Sequence, residues 1–213
     1  MTSAPRFPLL VLLMMLAAGA PPLAAQTATP TLPPGVYMGE EDYKQAPAGT
    51  FTLDGDHTSV LARVSHIGYS YSVFRFDRAG ATLQWDPANA AACTLSATVD
   101  TASIASPVKG FSQQLAGDDF LKAHAFPQAS FKSTSFRQTG PQSAKVDGEF
   151  TLMGKTKPVT FDVALVGAGK GFAGQPRIGA TARAAINPTD FGLPPLFGET
   201  IEIVIDGEFE RKP

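Results

Sequence analysis

The sequence predicts an all-β domain of about eight or nine short antiparallel strands with one short helical insert. Several segments alternate apolar and polar residues with a period of two, as strands with one buried face do. Turns rich in Gly, Pro, Asn and Asp separate these segments, and no helix-strand alternation is present. This pattern is typical of either a barrel or a sandwich of two sheets.

The segment Val146–Val166 is the clearest example of the pattern, and it predicts a β-hairpin. One face carries Val146, Gly148, Phe150 and Leu152 on the first strand, and Val159, Phe161, Val163 and Leu165 on the second. The turn is predicted at Met153–Thr156, where Gly154 can adopt a positive φ. Because an isolated hairpin is only marginally stable, the rest of the chain must supply further strands.

The remaining elements follow in chain order from the same reasoning. Phe51–Asp54 opens the domain, Gly55–Asp56 forms a turn, and strands are predicted at 58–66, 72–77, 81–85, 94–99, 129–136, 178–186 and 201–209. Between Ser106 and His124 the apolar spacing becomes helical, which predicts one or two short helices with a break at Gly117–Asp119. Gly167–Gly174 is predicted to be a flexible loop.

The N-terminus has the features of a secretory signal peptide, predicted at residues 1–25. Arg6 precedes an apolar run from Leu9 to Ala18, and small residues follow as far as Ala25. The run is too short for a membrane anchor, which needs about 20 apolar residues. Residues 26–48, rich in Pro, Ala and Thr, are predicted to form a flexible leader, and residues 49–213 form the domain.

Composition narrows the choice of partners and constrains the core. The formal net charge is −2, with 17 basic and 19 acidic residues, and removing Arg6 changes it to −3. Such a weak charge argues against nucleic acid as a partner. Cys93 is the only cysteine of an exported chain and cannot form an internal disulfide, so we expect it to be buried in a strand.

Several sequence blocks together resemble the YceI-like proteins, a polyisoprenoid-binding, lipocalin-like family of exported bacterial proteins. The blocks are LDGDHTSVLARVSHIGYS, SxFRF with the following G-x-x-x-x-WD, TASI, LAGDDFLKAHAFPQASFKST, GEFTLMGKTKPVTFDV and NPTDFG. Each block is weak evidence alone, but their order and spacing across Phe51–Arg211 are specific.

The resemblance implies an extended antiparallel β-barrel of about eight strands around a long apolar channel, with a helical segment closing one end. It also implies a periplasmic protein that binds an isoprenoid-tailed lipid, such as a quinone or a polyprenyl compound, or another long-chain amphiphile. Such a lipid would be a ligand, and no cofactor is expected. Family members are often dimeric, so a homodimer and transient membrane contact are further expectations.

Three residues depart from the usual family pattern. Phe74 stands where the family usually has Gly, and it would narrow the channel if it points inward. Ala105 replaces an acidic residue that is common after Ser-Ile. Pro188 replaces the Arg of the Asn-Arg-x-Asp-Phe-Gly motif, which removes a cation near a structural carboxylate or a ligand head group.

The sequence offers no recognisable catalytic or metal-binding arrangement, so we predict neither an enzyme nor a metal site. No Gly-x-Ser-x-Gly or His-Glu-x-x-His motif is present. His57 and His66 would face opposite sides of one uninterrupted strand, and no third ligand lies near them in sequence. His66 shares the phase of Val60 and Val64, so it could bond either a ligand head group or an internal carbonyl group.

The inward-facing apolar residues are the predicted ligand site. They comprise Val60, Val64, His66, Phe74, Phe76, Phe131, Phe150, Phe161, Val163 and Ile203. The same pattern would also describe a solid core. Two functions therefore remain: a periplasmic carrier of long-chain lipids, or a periplasmic stress or interaction protein whose filled barrel presents loops to a partner.

Overall fold

The computed structural model describes residues 32–195 and 200–211. The predicted signal peptide and the first part of the predicted leader lie outside this range. The ten strands are β1 (Gly49–His66), β2 (Ser70–Phe76), β3 (Ala79–Trp85), β4 (Thr94–Asp100), β5 (Ile104–Ala105), β6 (Gln128–Gly140), β7 (Ser143–Leu152), β8 (Lys155–Lys170), β9 (Pro176–Ile186) and β10 (Ile201–Glu210). Two short helices, α1 (Phe111–Ala116) and α2 (Pro188–Phe191), complete the main elements.

Eight of the strands close into an antiparallel barrel. The order around the ring is β1, β3, β4, β6, β7, β8, β9 and β10, and β10 then pairs with β1. The β1–β10 pairing closes the sheet, so the domain is a barrel and not a sandwich. β2 pairs with the second half of β1, and two residues of β5 pair with β2.

The predicted hairpin is present as β7 and β8. Val146 lies opposite Phe161, which places the two apolar faces on the same side of the sheet. Met153 and Gly154 form the two-residue turn, and both have positive φ values, 51° and 72°. Two positive φ values are characteristic of the type I′ turn, whose twist matches that of the flanking strands.

The predicted turn at Gly55–Asp56 is wrong, because β1 continues through it as a bulged strand. The register with β10 shifts between Asp54 and Ser59, and pairing resumes on both sides. The Asp54 carboxylate accepts a hydrogen bond from the Asp56 amide at 3.2 Å. The inward face changes at this bulge from odd-numbered residues, such as the fully buried Phe51, to even-numbered ones such as Val60.

Two further bulges change the inward face in the same way. A shift in β6 between Ser133 and Ser135 lets both Phe131 and Phe136 face the interior. A shift in β8 between Leu165 and Gly167 carries that strand on to Lys170. The predicted loop 167–174 is therefore shorter than expected, because its first four residues belong to β8.

The barrel has two different ends. At the helix end, α1, α2 and the segment 101–126 cover the opening, and the predicted helical insert is confirmed as α1, which ends at Gly117. At the opposite end, here called the Trp85 end, β1 begins beside Trp85. Neither described helix has the length and hydropathy needed to cross a bilayer.

The ordered domain begins earlier than predicted, because residues 39–46 pack across the Trp85 end. Glu40 and Ala168 exchange two backbone hydrogen bonds, each of 2.8 Å. The Trp85 indole Nε1 donates to the carbonyl oxygen of Ala46 at 3.2 Å, and the side chain of Ala46 is fully buried. This part of the predicted flexible leader is thus tied to two strands of the barrel.

Candidate functional site

Within the part of the chain that the structure describes, two separate cavities lie in the interior of the barrel. The helix-end chamber has a volume of about 140 Å³, and the Trp85 chamber has a volume of about 270 Å³. The helix-end chamber is close in size to apolar cavities of ~150 Å³ that bind benzene, and the Trp85 chamber is just below the ~300 Å³ at which ordinary ligand pockets begin. The interior of the barrel is therefore neither completely filled by side chains nor one continuous open channel.

Apolar side chains from seven of the eight ring strands, all except β3, line the helix-end chamber. They include Val60, Val64, Phe74, Phe76, Ala97, Val99, Ile104, Leu115, Phe120, Leu121, Phe131, Phe150, Leu152, Phe161, Ile186, Leu193, Ile201, Ile203 and Ile205. Among the described residues, no charged side chain lines this chamber. Thr98, Thr101 and Ser130 also belong to the lining, and the Thr101 hydroxyl group already donates to the carbonyl oxygen of Phe126 at 2.7 Å. The chamber can therefore hold a hydrocarbon group but offers a ligand few polar partners.

The Trp85 chamber combines an apolar wall with a polar mouth. Its lining includes Tyr43, Leu83, Trp85, Asp86, Cys93, Leu95, Phe136, Gln138, Gln142, Ser143, Val146, Val163, Leu165, Ile178, Ala182 and Phe209. Gln138, Gln142 and Ser143 are exposed, so the chamber reaches solvent beside the turn between β6 and β7. Tyr43 meets the edge of the Trp85 ring, with the ring centroids 6.2 Å apart.

A pair of phenylalanines forms a partition between the chambers. The rings of Phe131 and Phe161 meet edge to face with centroids 5.0 Å apart, and both line the helix-end chamber. Val146 lies opposite Phe161 on the neighbouring strand and lines the Trp85 chamber. A side chain at Gly148 would overlap the ring of Phe131, so this glycine provides the space for the partition.

Nine of the ten predicted site residues line the two chambers. Val60, Val64, Phe74, Phe76, Phe131, Phe150, Phe161 and Ile203 line the helix-end chamber, and Val163 lines the Trp85 chamber. Phe74 points inward beside α1, with its ring centroid 6.0 Å from that of Phe111. This residue therefore narrows the helix end of the channel.

His66 lies outside the channel, contrary to the expectation from its phase. The β1–β10 pairing ends at Val64, whereas His66 pairs only with Ser70 at the tip of the β1–β2 hairpin. The hairpin extends past the ring of the barrel, so a residue of inward phase becomes exposed there. Pro188 is fully buried as the first residue of α2, and no cation takes the place of the family's Arg in the chamber lining that the structure describes.

The polar residues around the Trp85 chamber are hard to predict from the sequence. Tyr43 belongs to the predicted leader, and Gln138 and Gln142 flank a predicted turn. The Trp-Asp pair at positions 85 and 86 is the one local signal, and it belongs to one of the family blocks. Cys93 is confirmed as buried, but it precedes β4, and burial raises the pKa of its thiol.

One ion-pair cluster lies away from both chambers, at the Trp85 end. Asp54, His57 and Glu208 bring three possible metal-ligand atoms within 4.8 Å of one another. Arg177 pairs with both carboxylates and also with Glu210. Because Arg177 and His57 already pair with these carboxylates, the cluster is explained as an ion-pair network. The sequence did not predict it, since only the β1–β10 pairing brings Asp54 and Glu208 together.

Hydrogen bonding within this network shifts two pKa values. Burial raises the pKa of Asp54, but hydrogen bonds from His57 and Arg177 outweigh this effect and leave it below its usual value. The hydrogen bond to Asp54 in turn raises the pKa of His57 above its usual value. The network therefore holds Asp54 as a carboxylate and favours the protonated form of His57.

Comparison with known proteins agrees with this architecture. A family model described as the YceI-like domain matches residues 51–209. A UPF0312 protein of Pseudomonas putida (strain F1) is 36% identical over 168 residues, which cover 77% of this chain and 88% of that protein.

Two solved structures share the fold. The crystal structure of BcnA from Burkholderia cenocepacia has a TM-score of 0.66 at 24% identity and covers 73% of this chain and 98% of its own. A polyisoprenoid binding domain from Saccharophagus degradans, implicated in plant cell wall breakdown, has a TM-score of 0.59 at 12% identity. The match covers 76% of this chain and 98% of that domain. The predicted lipocalin-like barrel is confirmed. The chain belongs to the YceI-like family.

Proposed function

We propose that this protein is a periplasmic carrier or scavenger of isoprenoid-tailed or other long-chain lipids, whose tail lies in the barrel channel. The observation that supports this proposal best is the interior of the barrel, where two cavities are lined almost entirely by apolar side chains. Solid packing would have filled these spaces, since protein interiors normally leave few voids larger than a water molecule. The Saccharophagus degradans domain of the same fold is described as polyisoprenoid-binding.

Burial of hydrocarbon supplies enough free energy for such binding without specific polar contacts. Each buried methylene group contributes about 0.8 kcal/mol, so a tail of several isoprene units can bind tightly. The partition formed by Phe131 and Phe161 must move for one tail to occupy both chambers. Phe161 lines the helix-end chamber, and its neighbour across the strands, Val146, lines the Trp85 chamber, so the Phe161 ring lies at the boundary between the two spaces.

The proposal also covers the cellular location of the protein and its role as a binding protein. The predicted signal peptide supports export to the periplasm. We also propose a binding protein and not an enzyme, because no histidine lines either chamber among the described residues. The one thiol in the chamber lining, Cys93, is buried with a raised pKa, which makes it a poor nucleophile.

The test is the lipid content of freshly purified protein, measured by mass spectrometry of organic extracts. Replacing Val163 or Phe161 with Asp puts a charge into one chamber or the other, and each change should abolish lipid retention. Ala164 lies next to Val163 on β8 but is exposed, so Ala164→Asp is the matched control and should retain lipid. A folded Val163→Asp protein that keeps its lipid would contradict the proposal.

The alternative, a stress or interaction protein that presents loops to a partner, has one observation in its favour. The β1–β2 hairpin exposes Ile67, Tyr69, Tyr71 and Val73 at its tip, and Tyr69 is 89% exposed. Exposed apolar groups of this kind often mark interaction surfaces. An organic extract without any long-chain species from the wild-type protein would favour this alternative.

A further inference from the structure

Among the described residues, most polar side chains of the channel lining lie at the mouth of the Trp85 chamber. Tyr43, Gln138, Gln142 and Ser143 lie there beside the rings of Trp85 and Phe136. Each of these polar side chains is uncharged. The helix-end chamber offers no comparable set: Thr98, Thr101 and Ser130 are its only polar lining residues among those that the structure describes, and the Thr101 hydroxyl group is already bonded to a carbonyl oxygen. A lipid in the channel therefore finds most of the polar partners for its head group at the Trp85 end.

The charges around this mouth are unfavourable for an anion. Among the described lining residues of the two chambers, Asp86 is the only charged one. Glu41 adds a second carboxylate at the rim, where it accepts a hydrogen bond from the Gln142 amide at 2.6 Å. The side chain of Lys44 lies outside the lining, with its ammonium group 5.9 Å from the centre of the Tyr43 ring.

Two other cations on the neighbouring strands face away from the chamber. Lys145 pairs with Asp162 on the outer surface at 2.5 Å. Arg137 forms two hydrogen bonds to Asp147, of 3.0 and 3.1 Å. Both cations are thus occupied by carboxylates on the outside of the barrel. Among the described residues, no cation belongs to the lining of the mouth, so a phosphate or carboxylate head group there would lie near Asp86 without a paired cation, and burying an unpaired anion is strongly unfavourable.

We propose that the Trp85 chamber holds the head group of the bound lipid, and that this head group is uncharged: a hydroxyl, amide or carbonyl-bearing ring and not a phosphate or carboxylate. This inference rests on the proposed function, since it assumes that the channel holds a lipid tail. The rings of Trp85 and Phe136 provide flat apolar surfaces against which a ring can stack. Gln138 provides a neutral amide group for its oxygens, because one amide hydrogen donates to the carbonyl oxygen of Gly140 at 3.0 Å and the second remains for a ligand.

Trp85 is also a natural reporter for the test, because it is the only tryptophan of the chain and lines this chamber. Delipidated protein is titrated with farnesol and with farnesyl phosphate, which share one tail, while the Trp85 fluorescence is followed. Farnesol should bind at least about tenfold more tightly than the phosphate at low salt, a difference of about 1.4 kcal/mol.

Equal or tighter binding of farnesyl phosphate would overturn the inference and leave the carrier function intact. Binding of neither compound, checked independently by native mass spectrometry, would overturn the carrier function and this inference with it. Tight binding of farnesol without any change in Trp85 fluorescence would place the head group elsewhere and would also overturn the inference.

A gain-of-function variant makes the test independent of any loss of folding. Gln138→Lys places a cation at the mouth and should raise the affinity for farnesyl phosphate about tenfold, with little effect on farnesol. Gln84 precedes Trp85 on β3 and is exposed outside the chamber, so Gln84→Lys is the matched control with the same added charge. An equal gain in both variants would show a general effect of net charge and would overturn the assignment of the head group to this mouth.

Discussion

The two ends of the barrel are built in different ways. The helix end has a large apolar core, in which Phe150 and Phe191 meet edge to face with centroids 5.4 Å apart. The Trp85 end has a much smaller apolar cluster around Phe51, and it adds the Arg177 ion-pair network and the docked segment 39–46. Stability is therefore concentrated at one end, while the other combines polar contacts with an opening to solvent.

This difference suggests that the two ends of the channel bind different parts of a ligand. The helix end encloses an apolar cavity whose described lining carries no charged side chain, which suits a hydrocarbon tail. The Trp85 end carries the polar mouth, and its covering segment is held by a few hydrogen bonds, such as those between Glu40 and Ala168. Segments held in this way open at lower free-energy cost than packed cores do. Ligand entry is thus expected at the Trp85 end.

Truncation at the helix end should have the largest effect on stability. Phe191→Ala removes a ring that is 2% exposed, and it should lower the free energy of unfolding by about 3–5 kcal/mol. Phe172→Ala, at an 80% exposed position, is the matched control and should change it by less than about 0.5 kcal/mol. Urea denaturation followed by Trp85 fluorescence measures both, and similar values for the two variants would contradict the assigned core.

Disrupting the ion-pair network should have a smaller effect, and one that depends on salt. Arg177→Ala leaves Asp54, Glu208 and Glu210 close together, and we expect a loss of about 1–2 kcal/mol because the site is partly exposed. The exposed pair of Arg137 and Asp147 provides the control, since Arg137→Ala should cost at most about 1 kcal/mol. Added salt should reduce the difference between wild type and Arg177→Ala, whereas the Phe191→Ala difference should stay constant.

Opening the partition should change the preference for tail length. Phe161→Leu removes the ring between the chambers, so a long prenyl alcohol should gain about tenfold in affinity relative to a short one. Val73→Ala, on the outer face of β2, is the control and should leave the ratio unchanged. Titrations followed by Trp85 fluorescence give the ratio, and an unchanged ratio in Phe161→Leu would mean that the tail does not cross the partition.

The smallest expected effect concerns pH. The folded-state pKa of His57 is raised above 6.5 by its hydrogen bond to Asp54, so its contribution to stability is complete below that value and is lost as pH rises through the folded pKa. The difference in stability between wild type and His57→Ala should therefore be largest in mildly acidic solution and vanish in alkaline solution. Urea denaturation across this range checks the sign, and a difference that grows with pH would contradict it.

The regular parts of the fold could be predicted from the sequence, because period-two patterning determines strand faces wherever the register is uninterrupted. The β7–β8 hairpin and its positive-φ Gly154 are examples. The bulges could not be predicted, because apolar residues keep their period of two on each side of the inserted residue. The alternation alone does not show that the inward-facing set changes between odd-numbered and even-numbered residues. For this reason Phe136, which follows the bulge in β6, was not recognised as an inward-facing residue of the channel.

The two chambers were predictable only in part. The alternation of apolar residues identified the walls, but it could not distinguish a cavity from a solid core, because both have the same pattern. The mouth depends on contacts between distant segments, such as the edge contact of Tyr43 with Trp85 across 42 positions of the chain. For His66 the prediction fails in another way, because its phase on β1 predicted an inward-facing side chain. Phase cannot indicate that the β1–β2 hairpin extends past the end of the barrel, where His66 is exposed.

The position of a bound ligand tests the divided channel most directly. We would add a prenyl alcohol to delipidated, isotope-labelled protein and measure nuclear Overhauser effects between ligand and protein. Contacts from the hydroxyl end to the Trp85 indole, together with contacts from the terminal methyl groups to the Phe74 or Phe161 ring, are predicted. Contacts confined to exposed residues such as Tyr69 and Phe172 would show that the lipid does not enter the barrel.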